Sequence, residues 1–566
     1  MVKIAVEVSK YVLLLIMILF TIETFMVLRV RNDETERRNE AKRRIMRKQI
    51  ILMLLFNFLA YTIMYAVKQQ TEMLVIYLGV IIYILLVQAM YRIVYRRASL
   101  ILVNTMCMLL SVGFVIQTRL GINYAIKQLM IVAVSTAVSM LIPVIVRKVR
   151  FIRQIPWVYA VVGILMLVAV LGLSKVTGGA NLSIEIGGIT FQFSEFVKIT
   201  FVFFIAGMLR EVTDFHQVAV TTAVAALHVI VLVLSKDLGA ALIYFMAYVV
   251  MVYVATGNVG YAGLGLGGMG VASVAAYKLF SHIRVRFNVW RDPFADYQGT
   301  GYQIVQALFG VCAGGWFGTG LFLGSPEMIP LARVDFTYAA ICEEMGILFG
   351  ICLILLCMGM YFLIVDISRK LREPFYKLVA IGLGTEYCFQ VFLTIGGTTK
   401  FIPMTGVTLP LVSYGGSSVM CTIIMISIVQ GLYILRDDED HALRIRRNRR
   451  PRTSGYTTGQ ERRQPRRQET QNEYPGGTRP EYREPQNRTY SGQGRKPAYD
   501  MHELRAEEYM DPMERERAMK DEWIHRQRME EQQRKNEEER RRVEGSGVPA
   551  DLEEKIAEET ERSIHW

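Results

Sequence analysis

The sequence predicts an all-α, polytopic membrane protein, and three observations carry that expectation. The 566-residue chain is 52% hydrophobic with a mean hydropathy of +0.29, beyond the ~45–50% apolar share of a typical soluble domain. Its apolar residues gather into blocks of about 17–25, the length at which a helix crosses the bilayer core. Its charged residues are pushed into the connections between blocks and into everything after Leu435.

The apolar blocks read as spans at 11–28, 50–66, 73–92, 99–117, 128–146, 157–174, 195–209, 217–234, 238–256, 261–280, 336–365, 375–396 and 409–435. The blocks at 195–209 and 238–256 carry polar entries and are candidates for broken helices. The first block, Tyr11 to Leu28, has no small-residue cleavage site after it and runs into a basic segment, so it reads as a retained anchor.

Basic residues test this count. One cluster runs from Arg29 to Lys48; others are Arg92, Arg96 and Arg97; Arg147, Lys148, Arg150 and Arg153; and Arg369, Lys370, Arg372 and Lys377. Each falls in an alternate connection, so all share one side. Short basic loops stay in the cytoplasm. The expectation is an inner (cytoplasmic) membrane protein with its N-terminus outside and its C-terminal tail in the cytoplasm. The formal charge of +13 is spent on this orientation, which argues against nucleic acid as a partner. The seven cysteines, Cys107, Cys312, Cys342, Cys352, Cys357, Cys388 and Cys421, have no metal-ligand spacing and read as small core residues.

Residues 436–500 are rich in Arg, Gln, Pro, Gly and Tyr, too polar to form a packed core. Residues 502–545 alternate acids and bases among helix formers, which suits a solvated helix or a weak coiled-coil partner. The domain reading is therefore 1–98 as extra N-terminal helices, 99–435 as the membrane body, and 436–566 as a charged, largely disordered tail.

Ionisable groups at membrane depth cost about 2.5–3.5 kcal/mol each, so their presence calls for a reason. Four segments stand out. The long outer connection carries Trp290-Arg291-Asp292-Pro293-Phe294-Ala295-Asp296-Tyr297-Gln298-Gly299-Thr300-Gly301-Tyr302-Gln303, then Gly314-Gly315-Trp316-Phe317-Gly318-Thr319-Gly320. An aspartate there can act as a general base if desolvation brings its pKa towards working pH; an exposed turn punctuated by Asp-Pro and Gly would look the same. Glu195 and Lys198 lie three apart on one helix face and can neutralise each other. Ser235-Lys236-Asp237-Leu238-Gly239 puts opposite charges in a turn, with Asp237 also placed to cap a helix. Finally, Phe401-Ile402-Pro403-Met404-Thr405-Gly406-Val407-Thr408-Leu409-Pro410-Leu411-Val412-Ser413-Tyr414-Gly415-Gly416-Ser417-Ser418 breaks helix geometry in the way that lines a cavity or makes a close packing face.

This last segment resembles the signature of the SEDS family (shape, elongation, division and sporulation proteins, including FtsW, RodA and SpoVE). The Asp292–Gln303 stretch resembles the family's D-P-x-x-D-x-x-G-x-G-Y-Q. Asp335-Phe336 with Glu343-Glu344-Met345-Gly346, Ser235 to Gly239, and Phe191 to Lys198 also resemble family segments, in family order. Ser235-Lys236 replaces a common Gln-Pro, and Phe193 replaces a proline. The resemblance covers about 99–435, a ten-helix body with about three extra N-terminal spans and the tail as additions.

The resemblance implies a peptidoglycan glycosyltransferase serving cell division, elongation (cell shape) or sporulation, which polymerises lipid II outside the membrane. It implies Asp296 as the catalytic carboxylate. Substrate would be held by Arg284, Arg286, Lys198, Glu195, Lys236, Asp237, Asp292, Lys400, Ser413, Gly415, Gly416, Ser417 and Ser418. Asp335, Glu343, Glu344, Pro403 and Pro410 would shape the cavity. A divalent cation, Mg or Mn, is the expected cofactor. The expected partners are a class B penicillin-binding protein and, through the tail, cytosolic division or elongation proteins. A lipid II flippase, for which broken helices and buried charges also suit, and a scaffold for envelope-synthesis proteins are the alternatives.

Overall fold

The computed structural model describes residues 2–29, 36–173, 184–186, 189–211 and 214–449. The chain divides into two units, residues 1–455 and 456–566, and all described residues fall in the first. The expectations for 450–566 lie outside the described residues.

Seventeen α-helices follow in order: α1 (Val2–Arg29), α2 (Glu36–Lys68), α3 (Thr71–Val94), α4 (Leu100–Leu120), α5 (Ile122–Ser139), α6 (Ile142–Lys148), α7 (Pro156–Leu173), α8 (Phe193–Met208), α9 (Phe215–Leu234), α10 (Leu238–Thr256), α11 (Val259–Leu279), α12 (Ser281–Arg291), α13 (Tyr302–Gly314), α14 (Thr337–Met345), α15 (Ile347–Arg369), α16 (Pro374–Thr398) and α17 (Gly416–Arg449). A two-stranded antiparallel hairpin, β1 (Ile184–Ile186) and β2 (Ile189–Phe191), precedes α8.

Local chemistry sets several boundaries. Asp214, Asp237 and Asn258 cap α9, α10 and α11 by accepting from the backbone N–H of Phe215, Ala240 and Gly260 at 2.8, 3.1 and 2.8 Å. Pro374 opens α16, where a missing N–H costs nothing. Gly257 takes the left-handed conformation (φ 66°) that ends α10.

Among the described residues, eleven helical segments are long and apolar enough to cross a membrane, counting α5 and α6 as one. The other two expected spans are the shorter helices α7 and α8, which pack on each other. Two expected breaks are absent: α8 and α10 run without interruption, because their polar residues sit in the first turn or at the cap. The breaks fall elsewhere. The 128–146 block divides at Met140–Leu141, just before Pro143, and the 336–365 block divides at Gly346 (φ +89°). The 409–435 block is irregular until Gly416, and its helix continues past Leu435 to Arg449.

The core helices are α4, α8, α16 and α17. α4 is buried along almost its whole length, from Ile101 to Thr118. An all-round apolar helix of this kind belongs inside a bundle. α1 packs on α2 and α15, and α2 on α4. A ladder of amides ties these helices together: Gln49 Nε2 donates to Thr24 Oγ1 (3.1 Å), Asn104 Nδ2 to Gln49 Oε1 (3.0 Å), Gln88 Nε2 to Asn104 Oδ1 (2.6 Å) and Asn57 Nδ2 to Ser111 Oγ (2.9 Å). Such interhelical bonds are worth about 0.6–2 kcal/mol each in a bilayer. At the opposite extreme, α11 has no buried residue and packs against α10 and α12.

The basic connections gather at one end of the bundle. Arg97 and Arg147 pair with Asp438 at 2.9 and 2.5 Å, and Arg153 pairs with Glu373 at 3.0 Å. These contacts lie at the far end of α17 from Gly416, where the Gly-rich and acidic segments meet.

Candidate active site

The 399–415 segment, between α16 and α17, folds back into the bundle. Thr394 Oγ1 donates to the Val407 carbonyl at 2.9 Å and Gln390 Nε2 to that of Thr408 at 3.1 Å. Leu411 takes a positive φ of 67°, and the carbonyls of Leu411 and Val412 lie so close to Gly113 that a Cβ there would sit 2.8 Å from each. Small side chains at this crossing let the backbones touch. Ser413 and Ser418 are fully engaged inside: Ser413 Oγ donates to Thr337 Oγ1 at 3.0 Å, and Ser418 Oγ meets Gln390 Nε2 at 3.1 Å and Thr408 Oγ1 at 2.9 Å. Ser417 Oγ accepts from the Gln192 N–H at 3.0 Å. Gly415 and Gly416 form the start of α17, with the Gly415 carbonyl accepting from Val419 at 2.9 Å. The serines expected to hold substrate therefore stitch the interior, since each hydroxyl already has a protein partner. Pro410 is buried and Pro403 half-buried in the same segment.

Beside them lies a buried ionic group. Lys198 Nζ reaches Glu195 Oε2 and Gln390 Oε1, both at 2.7 Å. Burying an ion requires such pairing, and it leaves Lys198 and Glu195 as internal partners rather than ligands for a substrate. Glu386, on α16, is wholly buried nearby, and neither carboxylate oxygen has a hydrogen-bond partner. Asp237 is buried too; its Oδ2 accepts from Ser194 Oγ at 2.9 Å and Gln192 Nε2 at 3.3 Å.

α12 separates this interior from a second compartment. One face turns Arg286 and Trp290, four apart, towards the 400–405 segment. Arg286 donates to the carbonyls of Met404 (3.2 Å) and Thr405 (3.1 Å), and Trp290 Nε1 to that of Lys400 (3.1 Å). Asp237 and Asp335 supply the carboxylates around Arg286. Burial, then the Arg286 and Lys236 cations, hold the His282 imidazole below its usual range. Lys236 (φ 64°) and Arg284 are exposed, and Lys400 (φ 58°) is half-buried.

Burial pushes the Asp335 carboxyl up to about 6, against the pull of Arg286. The folded protein therefore holds this proton where the unfolded chain has lost it, so stability falls as pH rises from about 4 through about 6. Asp335→Asn removes that cost. It should stabilise the protein by about 2–3 kcal/mol at neutral pH and far less near pH 4. Thermal melting in detergent checks this; a gap between variant and wild type that ignores pH refutes it.

The other face of α12, with Val285, Asn288, Val289 and Asp292, joins Pro293, Ala295, Asp296, Thr300 and Gly301 around a cleft of about 410 Å3. Asp296 Oδ2 accepts from the Thr300 N–H at 2.7 Å and Thr300 Oγ1 at 2.8 Å. The backbone leaves no room for a side chain at Gly301, and one at Gly299 would have to displace the Asp296 carboxylate. A Cβ on Gly301 would lie 2.0 Å from the Pro293 carbonyl oxygen, and one on Gly299 2.4 Å from Asp296 Oδ2. Desolvation does not raise Asp296, contrary to the expectation: it is exposed, and the Thr300 backbone and hydroxyl bonds hold it below the usual carboxylate range. Asp292 caps the turn, accepting from Phe294 N–H at 3.0 Å.

Glu343 and Glu344 brace the far end of this loop. Glu343 Oε1 accepts from Ser325 N–H at 2.6 Å, and Glu344 Oε1 accepts from Arg119 Nε at 2.6 Å and Phe322 N–H at 3.0 Å. Sequence reasoning missed Arg119, Gln390 and Glu386. For Arg119 and Glu386 the signal was there: a lone acid or base inside or at the edge of an apolar run is expensive. Among the described residues, no three or more His, Cys, Asp or Glu side chains come together as a metal site.

The architecture is that of a multi-pass membrane protein with a buried polar cluster among its helices and an acidic, Gly-rich loop. The sequence profile of the FtsW/RodA/SpoVE cell cycle proteins matches residues 91–435, and the chain belongs to that family. The peptidoglycan glycosyltransferase RodA of Mycobacterium tuberculosis (strain ATCC 25618 / H37Rv) is 36% identical over 271 residues, 44% of this chain and 57% of that protein. The chain thus spans little more than half the length of this relative. The probable peptidoglycan glycosyltransferase FtsW of Aliivibrio salmonicida is 29% identical over 360 residues, 60% of this chain and 86% of that protein. A solved structure described as "Structural coordination of polymerization and crosslinking by a peptidoglycan synthase complex" has the same fold, with TM-score 0.51 and 23% identity over 60% of this chain and 98% of the other. The matched segment starts eight residues before the expected body boundary and leaves α1, α2 and most of α3 outside it.

Proposed function

We propose that the chain is a peptidoglycan glycosyltransferase that polymerises lipid II on the outer face of the cytoplasmic membrane. The observation that carries this reading is the Asp296 turn, held open by Gly299 and Gly301 beside a cleft within the family-matched body. An acceptor sugar hydroxyl attacks the donor's anomeric carbon. Its proton passes to the Asp296 carboxylate as the bond to the pyrophosphate breaks, and undecaprenyl pyrophosphate leaves with the bonding electrons. One base suffices for such an inverting displacement. Substrate laid over Asp296 strips away water, which raises its basicity at the moment of transfer. The exposed cations Arg284 and Lys236, with Lys400, balance the leaving pyrophosphate. A divalent cation, Mg or Mn, would arrive with that pyrophosphate, and no step here depends on it.

In this orientation the N-terminus lies outside and the tail in the cytoplasm. A class B penicillin-binding protein is the proposed partner, with cytosolic division or elongation proteins on the tail. The purified chain with labelled lipid II should form polymer. Lipid II crossing liposomes with no polymer would instead favour a flippase, the reading to which the buried Glu195, Lys198 and Glu386 lend support. Gly301→Ala should cut polymerisation about 10²-fold by displacing Asp296 without loss of expression; wild-type turnover in this variant would count against the turn's role.

A further inference from the structure

α1 and α2 lie outside the family-matched segment, yet both reach the loop that joins α13 to α14. Lys10 Nζ, from α1, donates to the Gly318 carbonyl at 3.0 Å, across 308 residues of sequence. The Lys10 side chain is only 12% exposed and also pairs with Glu7 at 2.7 Å, so it is held in place. Tyr11 packs on Phe317 with ring centroids 5.3 Å apart. Val6 is buried against Gly320, where a Cβ would lie 2.8 Å from Val6 Cγ1. From the end of α2, Lys68 lies 5.2 Å from the ring centre of Phe322, whose ring also faces Arg119 at 4.4 Å.

The loop is tied on its other side to the family body. Thr319 and Gly320 donate to the carbonyls of Glu343 and Glu344 at 2.9 and 2.8 Å, and Ile347 donates to that of Gly315 at 2.9 Å. The loop also continues α13, and α13 begins directly at the Asp296 turn: the Gly301 carbonyl, in the cleft wall, accepts from Val305 at 3.1 Å. A short helix transmits displacement along its axis with little loss, because its backbone bonds are all internal. The chain of contact therefore runs from Lys10 to Gly318, along α13, to Asp296.

We propose that α1 and α2 are a brace on the 315–324 loop, and that Lys10 and Lys68 are positioning residues for the Asp296 turn. The lysines touch no reacting atom. Their work is to hold one end of α13 so that the other end presents Asp296 in register with the cleft. The catalytic consequence rests on the glycosyltransferase reading above; the mechanical coupling does not.

The test uses the full chain in detergent, with Lys10→Met, Lys68→Met, the double variant, and Lys10→Arg, which keeps a donor for the Gly318 carbonyl. Hydrogen–deuterium exchange is followed at 296–324 alongside lipid II polymerisation. The double variant should exchange faster at 296–301 as well as at 315–324, with an unchanged melting temperature. Its kcat should fall about tenfold with KM for lipid II within about twofold, and Lys10→Arg should restore most of the loss. Unchanged exchange at 296–301 overturns the brace whatever the activity. Faster exchange with wild-type kcat overturns the positioning role. If wild-type protein makes no polymer but exchange still responds, the brace stands and the glycosyltransferase reading falls.

Discussion

Asp296→Asn should abolish glycan polymer from lipid II while the protein still expresses, inserts and melts as wild type does. The substitution keeps the size and the hydrogen bonds that Thr300 can donate, and removes only the capacity to take a proton. General base catalysis is worth about 10²–10⁴-fold, so residual product should sit near the detection limit of a gel assay. Because Asp296 is exposed, its loss should leave folding untouched, which separates this variant from one that fails to fold. Asp292→Asn, in the same cleft, should retain most activity, since Asp292 serves the turn. Wild-type polymer from Asp296→Asn removes the base assignment, and equal losses from both variants would show that the cleft needs negative charge rather than one base.

Arg119→Met is the second large effect, and it acts on stability. Arg119 bonds Glu344 Oε1 at 2.6 Å, the Gly324 carbonyl at 3.1 Å and Glu327 at 3.1 Å. Glu344 is fully buried. Removing the cation strands a buried carboxylate, with a cost of about 3–5 kcal/mol. The melting temperature in detergent should drop by roughly 10 °C, and the 322–325 segment should become sensitive to protease. Arg119→Met with Glu344→Leu should recover most of that loss, because an apolar pair of similar volume does not need a partner. A single variant that melts within about 1 °C of wild type would show that water reaches Glu344 and the pair is not a structural anchor.

Much of the fold was legible because it follows from hydrophobic length. Each of the thirteen apolar blocks holds a helix, and alternate basic connections meet at one end, with Arg97, Arg147 and Arg153 paired there. Breaks were harder to place. Polar residues at Glu195 and Asp237 suggested interruption, yet first-turn and cap polar groups belong naturally to a helix start; Gly346 and Pro143, which do interrupt, sit in otherwise apolar runs. At the site, motif spacing singled out the Asp292–Gly301 turn, where Gly301 answers a steric demand from the Pro293 carbonyl. It did not reveal that α12 divides that turn from the Ser413–Ser418 segment, since the two faces of one short helix look alike in sequence. Nor did it reveal Gln390, whose amide bridges Lys198 to Ser418. Partnership at 28 to 192 residues' separation is a property of packing, and one chain without its fold does not carry it.

α17 has a mechanical meaning. It starts at Gly416 among the interior's buried hydroxyls and runs for 34 residues to Arg449, a stiff rod roughly 50 Å long by helix rise. Near its outer third it is gripped by Arg97 and Arg147 through Asp438, which act as a fulcrum. A load that swings the Arg449 end must either break those grips or turn Ser418 against Gln390, so that end of the helix has a direct lever on the buried polar cluster.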